Sequence, residues 1–148
     1  MKIVKYVLYA IAALIVLGIG GFFYLGVQSQ NGEAPGLTDG TLTACPESPN
    51  CVSSEAGTES EKRVDAFALE AWAELPSVIE QMGGVVTVQE DGYLAAEFTS
   101  SLFRFVDDTE FRRAGDVVHV RSGSRVGRSD AGVNAQRIAD LRARLSSE

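Results

Sequence analysis

A chain of 148 residues with 20 acidic against 13 basic side chains carries a formal net charge of −7, enough for one globular domain plus an appendage. That overall acidity excludes a non-specific nucleic-acid binder, and no nucleic-acid partner is expected. The charge is uneven: residues 28–103 hold 13 acids against Lys62 and Arg63, whereas residues 104–148 hold nine arginines against seven acids.

Residues 1–27 read as a transmembrane anchor. Tyr6 through Val27 form 22 consecutive uncharged positions. At about 1.5 Å per residue they reach about 33 Å, which suffices for the roughly 30 Å hydrocarbon core. Lys2 and Lys5 precede the run and no base follows until Lys62. The expected topology is therefore a single pass through an inner (cytoplasmic) membrane, N-terminus cytoplasmic and the rest periplasmic or otherwise extracytoplasmic. Tyr6, Tyr9, Phe22, Phe23 and Tyr24 cluster toward the two ends, as interfacial aromatics do. A cleaved secretory signal is the alternative. The run exceeds the usual ~7–15-residue apolar region and lacks an Ala-x-Ala site, so an uncleaved anchor is expected. Leu42-Thr-Ala-Cys45 resembles a lipoprotein box but lies too far beyond the apolar run.

Residues 28–44 read as a flexible linker, rich in Gly, Asn, Gln and Glu and containing Pro35. The globular domain is expected over 45–148. It opens with the chain's two cysteines, Cys45 and Cys51. In an exported domain these form a disulfide closing a tight loop, contributing about 2–2.5 kcal/mol by chain entropy. A metal site would need more soft ligands than His119 alone supplies, so neither metal nor cofactor is expected. A redox pair would use Cys-x-x-Cys, and a nucleophilic cysteine would want a better-placed base.

The periodicity of Ala68, Trp72, Leu75, Ile79 and Met82 predicts a helix over Asp65–Met82. Asp65 would cap it, Pro76 would kink or divide it, and Gly83-Gly84 would stop it. Val85–Glu90 and Tyr93–Thr99 read as strands joined by the hairpin turn Asp91-Gly92. Leu94, Ala96 and Phe98 share one face of the second. Leu102–Arg112 reads as the third strand, with a bulge at Asp107-Asp108 to reconcile the phases of Phe103, Phe105, Val106 and Phe111. Val117–Arg125 is the fourth, with Val118 and Val120 facing one way and His119, Arg121 and Arg125 the other. A final helix starts at Ser129 or Asp130 and runs to about Leu145 along a stripe of Val133, Ile138, Leu141 and Leu145. The order α-β-β-β-β-α implies an α+β domain behind the anchor, an antiparallel sheet with helices on one face and a partly solvated polar face opposite.

The stretch from His119 to Asn134 concentrates arginine, glycine and small polar residues. Arg104, Asp108, Arg121, Ser122, Ser124, Arg125, Asp130 and Asn134 are its candidate ligand-binding residues, with Arg128 adjoining. Arginine forks and a helix start suit a phosphate, a carboxylate or a lipid head group, and Gly123 and Gly127 allow close backbone approach. The competing reading is structural. Arg121 and Arg125 would pair with Asp107 and Asp108 on the neighbouring strand, and Asp130 would already cap the helix an anion needs.

An enzyme would draw on His119 with Asp107 and Asp108, and on Ser122 or Ser124. No G-x-S-x-G, H-E-x-x-H or P-loop pattern accompanies them, so no catalytic residues are assigned. The expected function is a non-catalytic binding or envelope-assembly module, with a hydrolase-like enzyme as the alternative. Its partners would be the membrane through residues 6–27, and either a protein docked on the polar sheet face or an anionic small molecule or lipid head group.

Three blocks carry a family resemblance: Cys45-Pro-x-Ser-Pro-Asn-Cys51-Val-Ser-Ser54; Ala96-Glu-Phe-Thr-Ser-x-Leu-Phe-Arg-Phe-Val-Asp-Asp108; and Val120-Arg-Ser-x-Ser-Arg-x-Gly-x-Ser-Asp-x-Gly-Val-Asn134, followed by Arg137-Ile138. In this order they resemble the domain-of-unknown-function family 1499, over roughly Gly36 to Leu145. The resemblance implies an exported or membrane-linked protein and carries no established activity. Ser101 stands where members commonly have arginine and Gly123 where they tend to have alanine; the missing arginine weakens an anion site.

Overall fold

Uninterrupted apolarity produces the first element. In the computed structural model, which describes residues 2–146, Lys2–Ser29 form one 28-residue helix, α1. Among the described residues it is the one helix long and apolar enough to cross a membrane, by length and composition. Its last turn is built into the domain. Ser29 is buried, and its hydroxyl accepts the Val106 N–H at 3.0 Å while donating to the Gly26 carbonyl at 2.6 Å. Gly26 has to be glycine here, because a Cβ would stand 1.7 Å from the Phe103 carbonyl oxygen.

The segment expected as a flexible linker differs from an unstructured tether. Leu37–Thr38 (β1) and Thr41–Leu42 (β2) form a small hairpin. The Gly36 N–H donates to Glu110 at 2.7 Å and the Leu42 N–H to Glu55 at 3.1 Å. The physical reason is that Glu110 on β7 and Glu55 in the loop after β3 are buried carboxylates that need donors, and this backbone supplies them.

The main sheet is antiparallel and wider than the four-strand meander expected. Cys51–Ser53 (β3) and Phe67–Ala68 (β4) both pair with Val117–Ser124 (β8). From there the order runs through Val106–Ala114 (β7) and Tyr93–Thr99 (β6) to Val85–Glu90 (β5). The hairpin between β5 and β6 turns at Asp91-Gly92 as expected, with Gly92 at φ 83°. The Cys45–Cys51 disulfide is present and opens β3. One face of the sheet meets Leu75–Gln81 (α2) and Val133–Leu145 (α3). The core there joins Leu75 and Ile79, Leu94 and Phe98, Phe111, Val118 and Val120, and Ile138 and Leu141.

Four local expectations change. The helix over Asp65–Met82 is instead β4, a 3-10 turn at Leu69–Ala73, and α2; Pro76 lies in the first turn of α2, where its missing N–H costs nothing. Asp65 precedes β4 and caps no helix. The third strand begins at Val106, not Leu102, so β6 and β7 pair without a bulge at Asp107-Asp108; the register shift lies between Val86 and Val88 of β5. Phe103 and Phe105 are out of phase because they belong to a turn that packs on Phe22 and Phe23 of α1. The last helix starts at Val133, after Gly132 at φ 81°.

Phe111 has no exposed surface and sits at the centre of this core. Phe111→Ala should cost about 3–5 kcal/mol in denaturant unfolding of the detergent-solubilised protein. A loss below roughly 1 kcal/mol would contradict the central packing described.

Candidate functional site

The eight candidate residues do not form one site. A strand sends alternate side chains to opposite faces, and β8 divides the set accordingly. Arg121 and Arg125 stand with Asp108 on the face covered by residues 29–44. Ser122 and Ser124 stand with Asn134 and Asp130 on the α3 face. Arg104 joins neither group: it lies exposed at φ 62° in the turn before β7.

On the first face every arginine has its counter-charge. Arg125 donates to both oxygens of Asp108, at 2.7 and 2.8 Å, to Glu97 at 2.5 Å, and to the Ser29 carbonyl at 3.1 Å. The Asp108 hydrogen bonds and field, with Glu97 behind them, raise the Arg125 pKa further and keep it charged. Arg121 pairs with Glu110 at 3.0 Å, not with an aspartate, because Glu110 lies directly opposite it in the register. Arg112 makes a two-point bridge to Glu55 at 2.9 Å.

Glu110 is fully buried and also accepts the Tyr93 hydroxyl at 2.8 Å and the Gly36 N–H. Burial pushes its carboxyl above the ordinary range despite Arg121, Tyr93 and Gly36. Burial, reinforced by the Glu110 charge, likewise raises Tyr93. For Glu55, burial is outweighed by the hydrogen bonds of Arg112 and Leu42 and by the field of His119, and the carboxyl is held below its usual range.

A cavity of about 320 Å³ opens between Gly32, Glu33, Pro35 and the Arg121–Arg125 stretch of β8. It is the nearest thing to the expected anion pocket. Its arginines are already neutralised, and Glu33 and Asp108 line it too, so it offers an anion little net attraction. Arg121 Nε is the buried side-chain donor left without an acceptor among the described residues.

The second face is a hydrogen-bonded polar layer beneath α3. Ser122 donates to Asn134 Oδ1 at 2.7 Å, and Thr109 lies 2.9 Å from the Ser122 hydroxyl. Asn134 donates to Ser124, to the Asn50 carbonyl and to Asp130. Asp107 pairs with Arg137 at 2.7 Å, not with Arg121 or Arg125. Asp130 accepts the Asn134 and Gly132 N–H groups at 2.8 and 3.1 Å. Burial would lift its carboxyl, but those backbone donors hold it below the ordinary value. The donors an anion would use at the start of α3 are therefore taken.

The enzyme constellation is not assembled. His119 meets Ser54 at 3.2 Å and Glu55 at 3.9 Å, both on Nδ1, while Asp107 and Asp108 are held by arginines elsewhere. A relay needs the nucleophile and the acid on different ring nitrogens. Ser54 is further engaged with the Val120 N–H at 2.8 Å. Among the described residues no group of three or more His, Cys, Asp or Glu side chains could hold a metal ion.

Glu55, Glu97, Glu110, Tyr93 and Arg137 were absent from the candidate set. The signal for Glu110 was its parity with Asp108; for Arg137, the i+3 spacing from Asn134. Glu55 carries no local signal, since only tertiary folding brings it to Arg112.

Arg125→Ala leaves Asp108 and Glu97 facing each other without a cation, and should cost about 3–5 kcal/mol. In a double-mutant cycle with Asp108→Ala the second change should cost much less than the first; additive losses would deny the coupling. Acid sensitivity follows from the depressed carboxyls. Their folded values lie below the unfolded ones, so Glu55 and Asp130 stabilise fully above the ordinary carboxylate range, and that stabilisation is lost as pH falls through the folded values. Glu110, raised, works in the opposite sense. Unfolding at neutral pH and at roughly pH 3 should show a smaller acid loss in Asp130→Asn than in the unaltered protein.

The family described as "Protein of unknown function (DUF1499)" matches residues 41–145, and the chain belongs to it. No curated protein and no solved structure gives a significant match.

Proposed function

We propose that this family member is a single-pass inner-membrane protein whose domain is held against the extracytoplasmic surface as a non-catalytic binding or envelope-assembly module. One observation carries the reading. The C-terminal end of α1 is joined to the domain by Ser29, Gln30 and the Phe22–Phe103 and Phe23–Phe103 ring contacts at 5.2 Å, so the end of the helix is packed on the domain. A secretion signal has no need of such contacts. Lys2 and Lys5 before the apolar run favour a cytoplasmic N-terminus, and a disulfide fits an oxidising compartment.

The arginines of β8 serve in this reading as ion pairs that fix the sheet's charged face. An anionic small molecule bound at Arg121 and Arg125 is disfavoured by their engagement with Glu110, Asp108 and Glu97. Protein docking on the polar sheet face is disfavoured as well, because residues 29–44 already cover it. What remains is binding at the membrane-proximal end of the domain.

A reporter enzyme active only outside the cytoplasm, fused after the last residue, should be active. The protein should resist extraction from membranes at alkaline pH, and its two cysteines should be unreactive to thiol reagents until reduced. A cytoplasm-only reporter signal, or two free thiols in freshly isolated membranes, would refute the proposed orientation.

A further inference from the structure

A second cavity, of about 280 Å³, lies where the domain meets the helix. Phe22 and Leu25 of α1 form one wall; Phe105 from the turn before β7 forms another; Val126 and Val133 close it from the loop that leads into α3. None of these apolar side chains belongs to the main core. Phe22, Leu25 and Val133 stay 52, 38 and 48 % exposed. A water-facing domain would gain by burying such a wall; one pressed on a bilayer need not.

Depth identifies the occupant. Phe22 and Leu25 precede Val27, the end of the uncharged run, by five and two residues. At about 1.5 Å per residue they lie about 7.5 and 3 Å inside that end, at the boundary between acyl chains and head groups. The cavity is thus walled on one side by the membrane-crossing segment itself, and what reaches it laterally is lipid.

Charge sets the other end. Arg128, exposed, lines the same cavity and among the described residues makes no hydrogen bond or ion pair. The two carboxylates present are engaged: Asp107 by Arg137, Asp130 by the N–H groups of Gly132 and Asn134. The local surplus is therefore one exposed guanidinium among the lining of an apolar slot.

We propose that this cavity is a phospholipid site, one acyl chain lying against Phe22, Phe105 and Val133 and the phosphate meeting Arg128. The inference rests on the membrane-spanning reading of α1 given above. Its volume, slightly under the roughly 300–1,000 Å³ of drug-sized sites, suits a segment of one chain and not a whole lipid. The site uses the Ser124–Asp130 end of the stretch singled out in the sequence, and lies on the opposite side of β8 from Arg121 and Arg125.

The test uses the full-length protein reconstituted into vesicles of phosphatidylethanolamine and phosphatidylglycerol that carry a phospholipid with a diazirine in the upper part of one acyl chain. After irradiation, label is mapped by peptide mass spectrometry. Label is expected on Phe105 and on residues 126–133 as well as on α1. Arg128→Gln should lower the 126–133 label about fivefold, and Arg128→Lys should largely retain it. Val133→Asp should lower it too, and an acid in the first turn of α3 is compatible with folding. Label confined to α1 and residues 102–105, or label at 126–133 indifferent to Arg128→Gln or to Val133→Asp, overturns the site. Flotation of the same vesicles separates the two readings. Protein that fails to float with lipid defeats the membrane reading and this one together; protein that floats without label at 126–133 defeats this one alone.

Discussion

Asp107 and Asp108 are consecutive in β7, and a pleated strand must send them to opposite faces. Both are largely buried, at 9 and 2 % exposure. A buried carboxylate without a cation is costly enough that each face had to acquire an arginine. Arg137 comes from α3 and Arg125 from the end of β8. Much of the domain's arrangement follows from that pair of demands. The first holds α3 at a fixed depth on the sheet, with Asn134, Ser122 and Thr109 filling the polar layer between. The second draws Glu97 into the same cluster, and with it the backbone of residues 29–36.

The driving force for folding still comes from the apolar side, where Phe111, Leu94, Val118, Ile79 and Leu141 are removed from water. Buried ion pairs add little net stability and more geometrical selection, because breaking one leaves its partner stranded. The charged face illustrates this. Glu110 takes three donors, from Arg121, Tyr93 and Gly36, and still has its proton affinity raised by burial. Such a group favours one register of β7 against β8, since a shift by one residue would place it among the aliphatic side chains.

Alternation made β6 and β8 readable from the chain, a short β-branched run did so for β5, and Asp91-Gly92 made the turn between β5 and β6 readable. The phase of Phe103 and Phe105 was misleading because they pack on α1, a contact no local pattern reports. β3 and β4 escaped for another reason: at three and two residues they are too short to show a period. The candidate site was legible in part. Arg125 with Asp108 followed from strand adjacency, whereas Arg121 took Glu110 because the register places them opposite. Ser122 and Ser124 had been grouped with Arg121 through closeness in sequence, although the same alternation that revealed β8 separates them by the thickness of a sheet.

The clamp at Ser29 bears on how the chain comes together in time. Ser29 and Val106 meet across 77 positions, and Arg125 reaches the Ser29 carbonyl across 96. The end of α1 is synthesised first and must wait for β7 and β8 before its own polar groups are satisfied. Contacts so distant in sequence form late. The charged face is therefore completed only by residues upstream of the matched stretch, and a fragment limited to 41–145 would lack the Ser29 and Gly36 groups that close it.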